Sequence, residues 1–167
     1  ILHKVTIEKK LPLREMSIHD IYLESQDVVT YKIPVYQRNY AWEEDQILAL
    51  VKDVYDSWQK NPTAPYYIGT LVTYKRNDRE YEVIDGQQRL TTIYLVIKAL
   101  GIKEVRNRLT YSARSTSTST IKRLDEGLVL GDESDSGIRN GYKYANKALD
   151  AIVLSDEREG FKEYILR

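Results

Sequence analysis

Apolar and polar positions along the first part of the chain predict two strands separated by a short helix. Residues 5–13 alternate apolar and charged side chains, a pattern typical of a half-buried strand. Ser17 stands three residues before Asp20, close to a capping box, and indicates a short helix over residues 18–24. β-branched and aromatic residues predict a strand over residues 28–35, and its proline limits it to a sheet edge or to a strand end.

The clearest helical period lies in residues 43–59, which begin with three acidic residues. Its apolar positions are Ile47, Leu50, Val51, Val54, Tyr55 and Trp58. A strand over residues 66–74, a polar turn and a second strand over residues 79–84 predict a β-hairpin. The apolar run at residues 90–100 then predicts a helix that Gly101 closes.

The pattern weakens after residue 103. The Ser/Thr-rich residues 112–120 predict a mobile loop, and residues 131–137 form an acidic break. Two closing helices are predicted from apolar positions at Tyr142, Ala145, Leu149, Ile152, Phe161, Tyr164 and Ile165. We therefore expect an α+β fold, with a core over residues 1–103 and a helical extension over residues 104–167.

Composition excludes several classes of function. The chain has no cysteine, which removes disulfides and cysteine zinc sites and favours a cytoplasmic protein. Lys plus Arg and Asp plus Glu each number 25, so no overall positive field attracts nucleic acid and any DNA contact must be local. The two histidines are too few for a metal cluster, and no apolar run approaches the ~20 residues of a membrane span. Because the chain opens at Ile1 and stops within a predicted helix, we expect it to be part of a longer protein.

The segment Asp85-Gly86-Gln87-Gln88-Arg89 lies between a predicted strand and a predicted helix, which makes it a candidate anion site. Free backbone N–H groups and the positive end of the helix dipole meet there, and glycine permits a tight turn. Arg89 suits phosphate oxygens, while Gln87 and Gln88 can orient a phosphate or a water. Asp85 would repel a phosphate unless a cation lies between them, so we expect it to contact Mg²⁺. The alternative is purely structural: Asp85 caps the helix and Arg89 pairs with a surface acid.

A second Gln-Arg pair lies in residues 36–42, Tyr-Gln-Arg-Asn-Tyr-Ala-Trp, also between a predicted strand and a predicted helix. We expect Tyr36, Gln37 and Arg38 to bind nucleotide together with Gly86 and Arg89. Arg38 would contact phosphate and an aromatic ring would stack on the base. Core packing is the simpler interpretation of Trp42, since aromatic residues usually pack.

These two segments, with Tyr67-Ile68-Gly69-Thr70-Leu71 between them, resemble the N-terminal domain of GmrSD-type modification-dependent restriction proteins. The resemblance covers residues 13–100. It implies a ParB/sulfiredoxin-like fold, with a small mixed sheet and packed helices. It also implies that the Asp-Gly-Gln-Gln-Arg turn binds and hydrolyses a nucleoside triphosphate with Mg²⁺, and that the protein takes part in phage defence. The sulfiredoxin branch uses a cysteine at this turn, and its absence here excludes sulfinic-acid chemistry.

The resemblance assigns catalysis to Asp85, Gln87, Gln88 and Arg89. In the family the nuclease is often a separate C-terminal HNH domain or subunit. Both histidines of this chain precede residue 20, so DNA cleavage is expected elsewhere in the full-length protein. Arg114, within the Ser/Thr-rich stretch, is a candidate for a further phosphate contact.

Two other interpretations remain open. The same turn fits a non-catalytic DNA-binding or protein-interaction module that holds a backbone phosphate without hydrolysis. A domain that is catalytically silent without its C-terminal partner is compatible with either interpretation.

Overall fold

The computed structural model describes residues 1–6, 14–23, 28–106 and 108–167, and these form a mixed sheet packed against helices. The strands are β1 (Leu2–Thr6), β2 (Arg14–Met16), β3 (Thr30–Ile33), β4 (Gly69–Asn77), β5 (Glu80–Asp85) and β6 (Arg108–Tyr111). The helices are α1 (Ile18–Tyr22), α2 (Glu44–Lys60), α3 (Gln87–Ala99), α4 (Ser115–Asp125), α5 (Ser136–Ile152) and α6 (Arg158–Leu166). A 3₁₀ turn at Ser155–Glu157 precedes α6. The predicted α+β class is confirmed.

The strand order of the sheet is β2-β1-β4-β5-β3-β6. β3 lies between β5 and β6 and runs parallel to both, whereas β4 runs antiparallel to β5. Parallel strands end at the same side of a sheet, so the connections that leave β3, β5 and β6 all emerge together. β4 begins at that side as well. We call this side the carboxyl edge.

The core lies on one face of the sheet, around α3. Every residue of α3 from Leu90 to Lys98 is buried, because the helix contacts β4 on one side and α5 on the other. Inward-facing residues of the strands meet it, such as Tyr31, Leu71 and Val83, each exposed by at most 2%. A helix that is buried on all sides is typical of such a central position.

Most of the predicted elements are present. α1 has the predicted capping box of Ser17 and Asp20. The hairpin is β4 and β5, and β3 ends directly before Pro34. Gly101 ends α3 with a φ of 82° and donates its N–H to the carbonyl of Lys98. Of the strand predicted over residues 5–13, residues 7–13 lie outside the described part of the chain.

The mobile loop predicted over residues 112–120 is wrong, because α4 begins at Ser115. Its hydroxyl groups form hydrogen bonds within the protein: Ser117 donates to Asp135 at 2.6 Å, and Thr120 accepts from the backbone of Asp135 at 2.9 Å. Burial of Ile121 and Leu124 adds an apolar contact. Ser and Thr disfavour helices in water, but here tertiary contacts stabilise one.

β6 is an element that the sequence pattern did not predict. Its four residues follow residue 103 and yet form a strand of the same sheet, paired with β3. The division of the chain at residue 103 remains a prediction. Among the helices of the described residues, none has the length and apolarity needed to span a membrane.

Candidate functional site

Gly86 forms the sharp turn between β5 and α3. Its φ of 95° and ψ of 12° are left-handed, a region that glycine adopts readily. A Cβ atom at this position would lie 2.8 Å from the carbonyl oxygen of Thr70, so the turn also needs the absence of a side chain. The sequence prediction that glycine is needed for this turn therefore has two physical reasons.

The N-terminus of α3 has no side-chain cap among the described residues, and its first turn has no acidic residue. The alternative in which Asp85 caps the helix is therefore wrong for this structure. Uncapped N–H groups at a helix start favour an anion.

Gln88 holds the connection between β3 and α2, residues 34–43, which we call the Arg38 loop. Gln88 is 8% exposed, and its amide forms two hydrogen bonds to loop backbone. Its Oε1 accepts from the N–H of Ala41 at 2.9 Å, and its Nε2 donates to the carbonyl of Asn39 at 3.0 Å. The motif therefore fixes the loop that the second Gln-Arg pair occupies.

Gln37 of the Arg38 loop forms a second link, from the loop back to the end of β5. Its Nε2 donates to the carbonyl of Ile84 at 2.9 Å. The register between β4 and β5 shifts at this point, since Val72 pairs with Asp85 and Thr73 with Val83. Such irregularities redirect backbone groups next to functional sites. The two Gln-Arg segments, predicted to converge, are thus joined at the carboxyl edge.

Arg89 lies half-buried beside the beginning of β4. Its Nη1 donates to the carbonyl of Ile68 at 2.6 Å, and its Cζ lies 5.7 Å from the ring centre of Trp42. A Cβ atom on Gly69 would come within 2.6 Å of Nη1, so glycine makes room for the guanidinium. Trp42 packs against the core, as predicted.

Three predicted site residues have side chains without hydrogen bonds or ion pairs to the described part of the chain: Arg38, Asp85 and Gln87. Arg38 and Asp85 are exposed, and Gln87 is half-buried. Tyr36 is 66% exposed, and its hydroxyl donates weakly to Glu82 at 3.4 Å. These side chains are available to a ligand.

Buried tyrosines support the site from behind. The Tyr40 hydroxyl pairs with Thr92 at 2.7 Å, and that of Tyr111 pairs with Thr91 at 2.6 Å. Burial raises the pKa of both tyrosines, so both stay neutral. The Tyr40 ring lies so close to Gly141 of α5 that a Cβ there would be 2.6 Å from it. The sequence did not predict these hydrogen bonds, and their only signal in it was the total of fourteen tyrosines.

Of the predicted site residues, only Asp85 carries a carboxylate, so it is the candidate ligand for Mg²⁺. No group of three or more His, Cys, Asp or Glu side chains that could hold an ion occurs in the described residues. Asp85 alone would bind Mg²⁺ weakly. Mg²⁺ in nucleotide sites is commonly held by one or two carboxylates together with the phosphates, so this residue fits an ion that arrives with a nucleotide.

Comparison with known protein families shows to which family the chain belongs. The family model described as the GmrSD restriction endonuclease, N-terminal domain, matches residues 18–166. The chain belongs to this family. The match extends the resemblance well beyond residue 100 and makes this GmrSD-family domain part of a restriction protein. No curated protein gives a significant match.

Proposed function

We propose that this GmrSD-family domain binds a nucleoside triphosphate with Mg²⁺ and hydrolyses it, while another domain or subunit cleaves DNA. One observation carries the proposal. The Arg38 loop and the turn that begins α3, which carry Arg38 and Arg89, are joined at the carboxyl edge by hydrogen bonds of Gln37 and Gln88.

Phosphate binding rests on three kinds of donor. The backbone N–H groups of α3 and its dipole attract negative charge, and Gly86 lets a phosphate approach closely. Arg89 is held in place by Ile68 and Trp42, so little side-chain entropy is lost when it binds. Arg38 adds a second guanidinium from the solvent side. Tyr36, exposed on the same loop, is placed to stack on a base.

Hydrolysis in this proposal needs positioning and charge stabilisation only. Mg²⁺, when bound with the nucleotide, neutralises charge on the phosphate oxygens, and Asp85 contacts it. Gln87 orients the water, since its amide has no partner in the described chain, whereas both ends of the Gln88 amide are used on the Arg38 loop. The water oxygen forms a bond to the terminal phosphorus while the bond from that phosphorus to the bridging oxygen breaks. One proton of the water stays on the released phosphate, and the other passes to solvent.

The test measures triphosphate binding and phosphate release for the wild type, Arg38→Ala and Arg89→Ala. The matched control is Arg79→Ala, because Arg79 is also exposed but lies in the hairpin turn at the opposite side of the sheet. We expect each site variant to weaken binding by roughly tenfold or more, the effect of losing a charge-assisted hydrogen bond. The control should equal the wild type. Equal behaviour of all four proteins would sink the proposal.

The same proteins separate the proposal from the DNA-binding alternative. In that alternative, DNA affinity falls steeply with salt and depends on Arg38 and Arg89. Added nucleotide does not change it. Nucleotide binding without DNA supports the proposal. DNA binding without any nucleotide effect favours the alternative.

A further inference from the structure

Arg114 joins the end of β6 to the Arg38 loop. Its Nη2 donates to the carbonyl of Val35 at 3.2 Å and also to the carbonyl of Gln37. These two carbonyls flank Tyr36, and the carbonyl of Gln37 directly precedes Arg38. A side chain 77 residues further along the chain than Gln37 therefore fixes the loop backbone.

The connection that carries Arg114 contains two features that cost free energy. Ala113 has a φ of 55°, and among the described residues no other non-glycine residue has a positive φ. The Nη1 atom of Arg114 is buried and has no hydrogen-bond partner there. Strained backbone and unsatisfied donors persist where the surroundings impose them, and they cluster at functional sites.

The base from which Arg114 extends is fixed. Its N–H donates to the carbonyl of Tyr111 at 3.3 Å, and its carbonyl accepts the first hydrogen bond of α4, from Thr118, at 3.1 Å. Thr118 in turn accepts from the N–H of Tyr111 at 2.9 Å. The Arg114 side chain therefore transmits the position of β6 and α4 to the loop.

We propose that Arg114 is a positioning residue of the nucleotide site, which keeps Arg38 beside the start of α3. The inference rests on the proposed function. Arg38 has no partner of its own in the described chain, so the loop backbone decides where its guanidinium lies. Gln37 and Gln88 hold that backbone from the β5 side, and Arg114 holds it from the β6 side.

Binding of the preferred triphosphate with Mg²⁺ is measured for Arg114→Met and Arg114→Lys. We expect the first to raise the dissociation constant by roughly tenfold, and the second to recover part of the loss, because an ammonium can still reach one carbonyl. The control is Arg123→Met, which removes a similar contact at the other end of α4, to the carbonyl of Val129 at 2.8 Å. It should bind like the wild type.

A double-mutant cycle shows whether Arg114 acts through Arg38. If it does, Arg114→Met added to Arg38→Ala raises the dissociation constant no further. Independent, multiplying effects overturn the proposal.

Trypsin, which cuts after arginine, gives a readout of the loop that does not depend on nucleotide. We expect cleavage after Arg38 to be faster in Arg114→Met than in Arg123→Met. Equal rates overturn the positioning role. If the wild type binds no triphosphate, the proposed function fails, but the comparison of cleavage rates still decides whether Arg114 holds the loop.

Discussion

At the scale of residues, neighbours in the Asp-Gly-Gln-Gln-Arg turn have different uses because successive side chains point about 100° apart around a helix. Gln88 points inward and binds the Arg38 loop, while Arg89 lies across Gly69. Asp85 and Gln87 remain open to a ligand. One short motif thus builds part of the proposed site and leaves its other side chains free for a ligand.

Gly86→Ala should destabilise the fold more than an ordinary glycine replacement. The left-handed backbone and the close carbonyl of Thr70 together predict a loss of about 2–5 kcal/mol. Gly101→Ala is the matched control, since its φ is 82° but nothing lies within 4 Å, and we expect about 1–2 kcal/mol. Urea unfolding measures both. Equal losses would mean that the Thr70 contact relaxes at no cost.

Residue identity indicated which side chains are candidates for ligand contact, but not which contacts support them. The Gln-Arg pairs were visible in the sequence because charged and amide groups beside glycine suit phosphate. That Gln88 would bind backbone of a distant loop was not visible, because the contact exists only after α3 and the Arg38 loop come together. The same holds for Arg114, whose partners lie on another connection.

At the scale of elements, α3 is held by side chains from the elements around it. The Tyr22 hydroxyl donates to the carbonyl of Leu90 at 2.7 Å, and Tyr94 of α3 donates to Asp125 of α4. Lys98 completes this contact, with its Nζ 3.3 Å from the Asp125 carboxylate. Both side chains of the ion pair are at least nine-tenths buried.

Lys98→Met should strongly destabilise the protein, because it leaves the Asp125 carboxylate buried without its cation. Breaking a buried pair on one side costs about 3–5 kcal/mol, whereas replacing both partners by apolar residues costs much less. We therefore expect Lys98→Met with Asp125→Leu to be more stable than Lys98→Met alone in urea. The exposed Lys52→Met, which loses only its contact with Asp56, should not measurably change stability. A double variant no more stable than Lys98→Met would contradict this account.

A long apolar period identified some of the predicted elements, whereas α1 and β3 were predicted from a capping box and from β-branched residues. α2, the β4–β5 hairpin and α5 extend far enough for apolar spacing to identify them. β6 has four residues and α4 begins with six Ser and Thr residues, so pattern and propensity both fail there. The order of strands in the sheet depends on tertiary pairing, such as β1 beside β4, that no local pattern carries.

At the scale of the whole molecule, buried tyrosines make stability depend on alkaline pH. Burial raises the pKa of Tyr22, Tyr40, Tyr94 and Tyr111 above the ordinary value of a tyrosine. Below about pH 10 both the folded and the unfolded states keep these protons, so the contribution to stability is complete. Above it the unfolded chain releases protons that the folded protein retains, and stability falls.

The free energy of unfolding, measured by urea titration, should therefore decline as the pH rises past about 10. The decline is up to about 1.4 kcal/mol per pH unit for each protected tyrosine. Tyr40→Phe should flatten that decline, whereas Tyr74→Phe, at an exposed position, should not. An identical slope for the wild type and Tyr40→Phe would show that Tyr40 ionises equally in both states.

The place of β6 in the sheet puts β3, and the loop that follows it, in the interior of the sheet. β3 is flanked by β5 and β6, so both of its rows of backbone groups face a neighbouring strand. Without β6, β3 would become an edge strand whose free amides and carbonyls invite pairing with another chain. β6 takes the edge position instead, so the four residues that the sequence pattern failed to predict keep β3, and the loop that follows it, away from the edge at which a second molecule could pair.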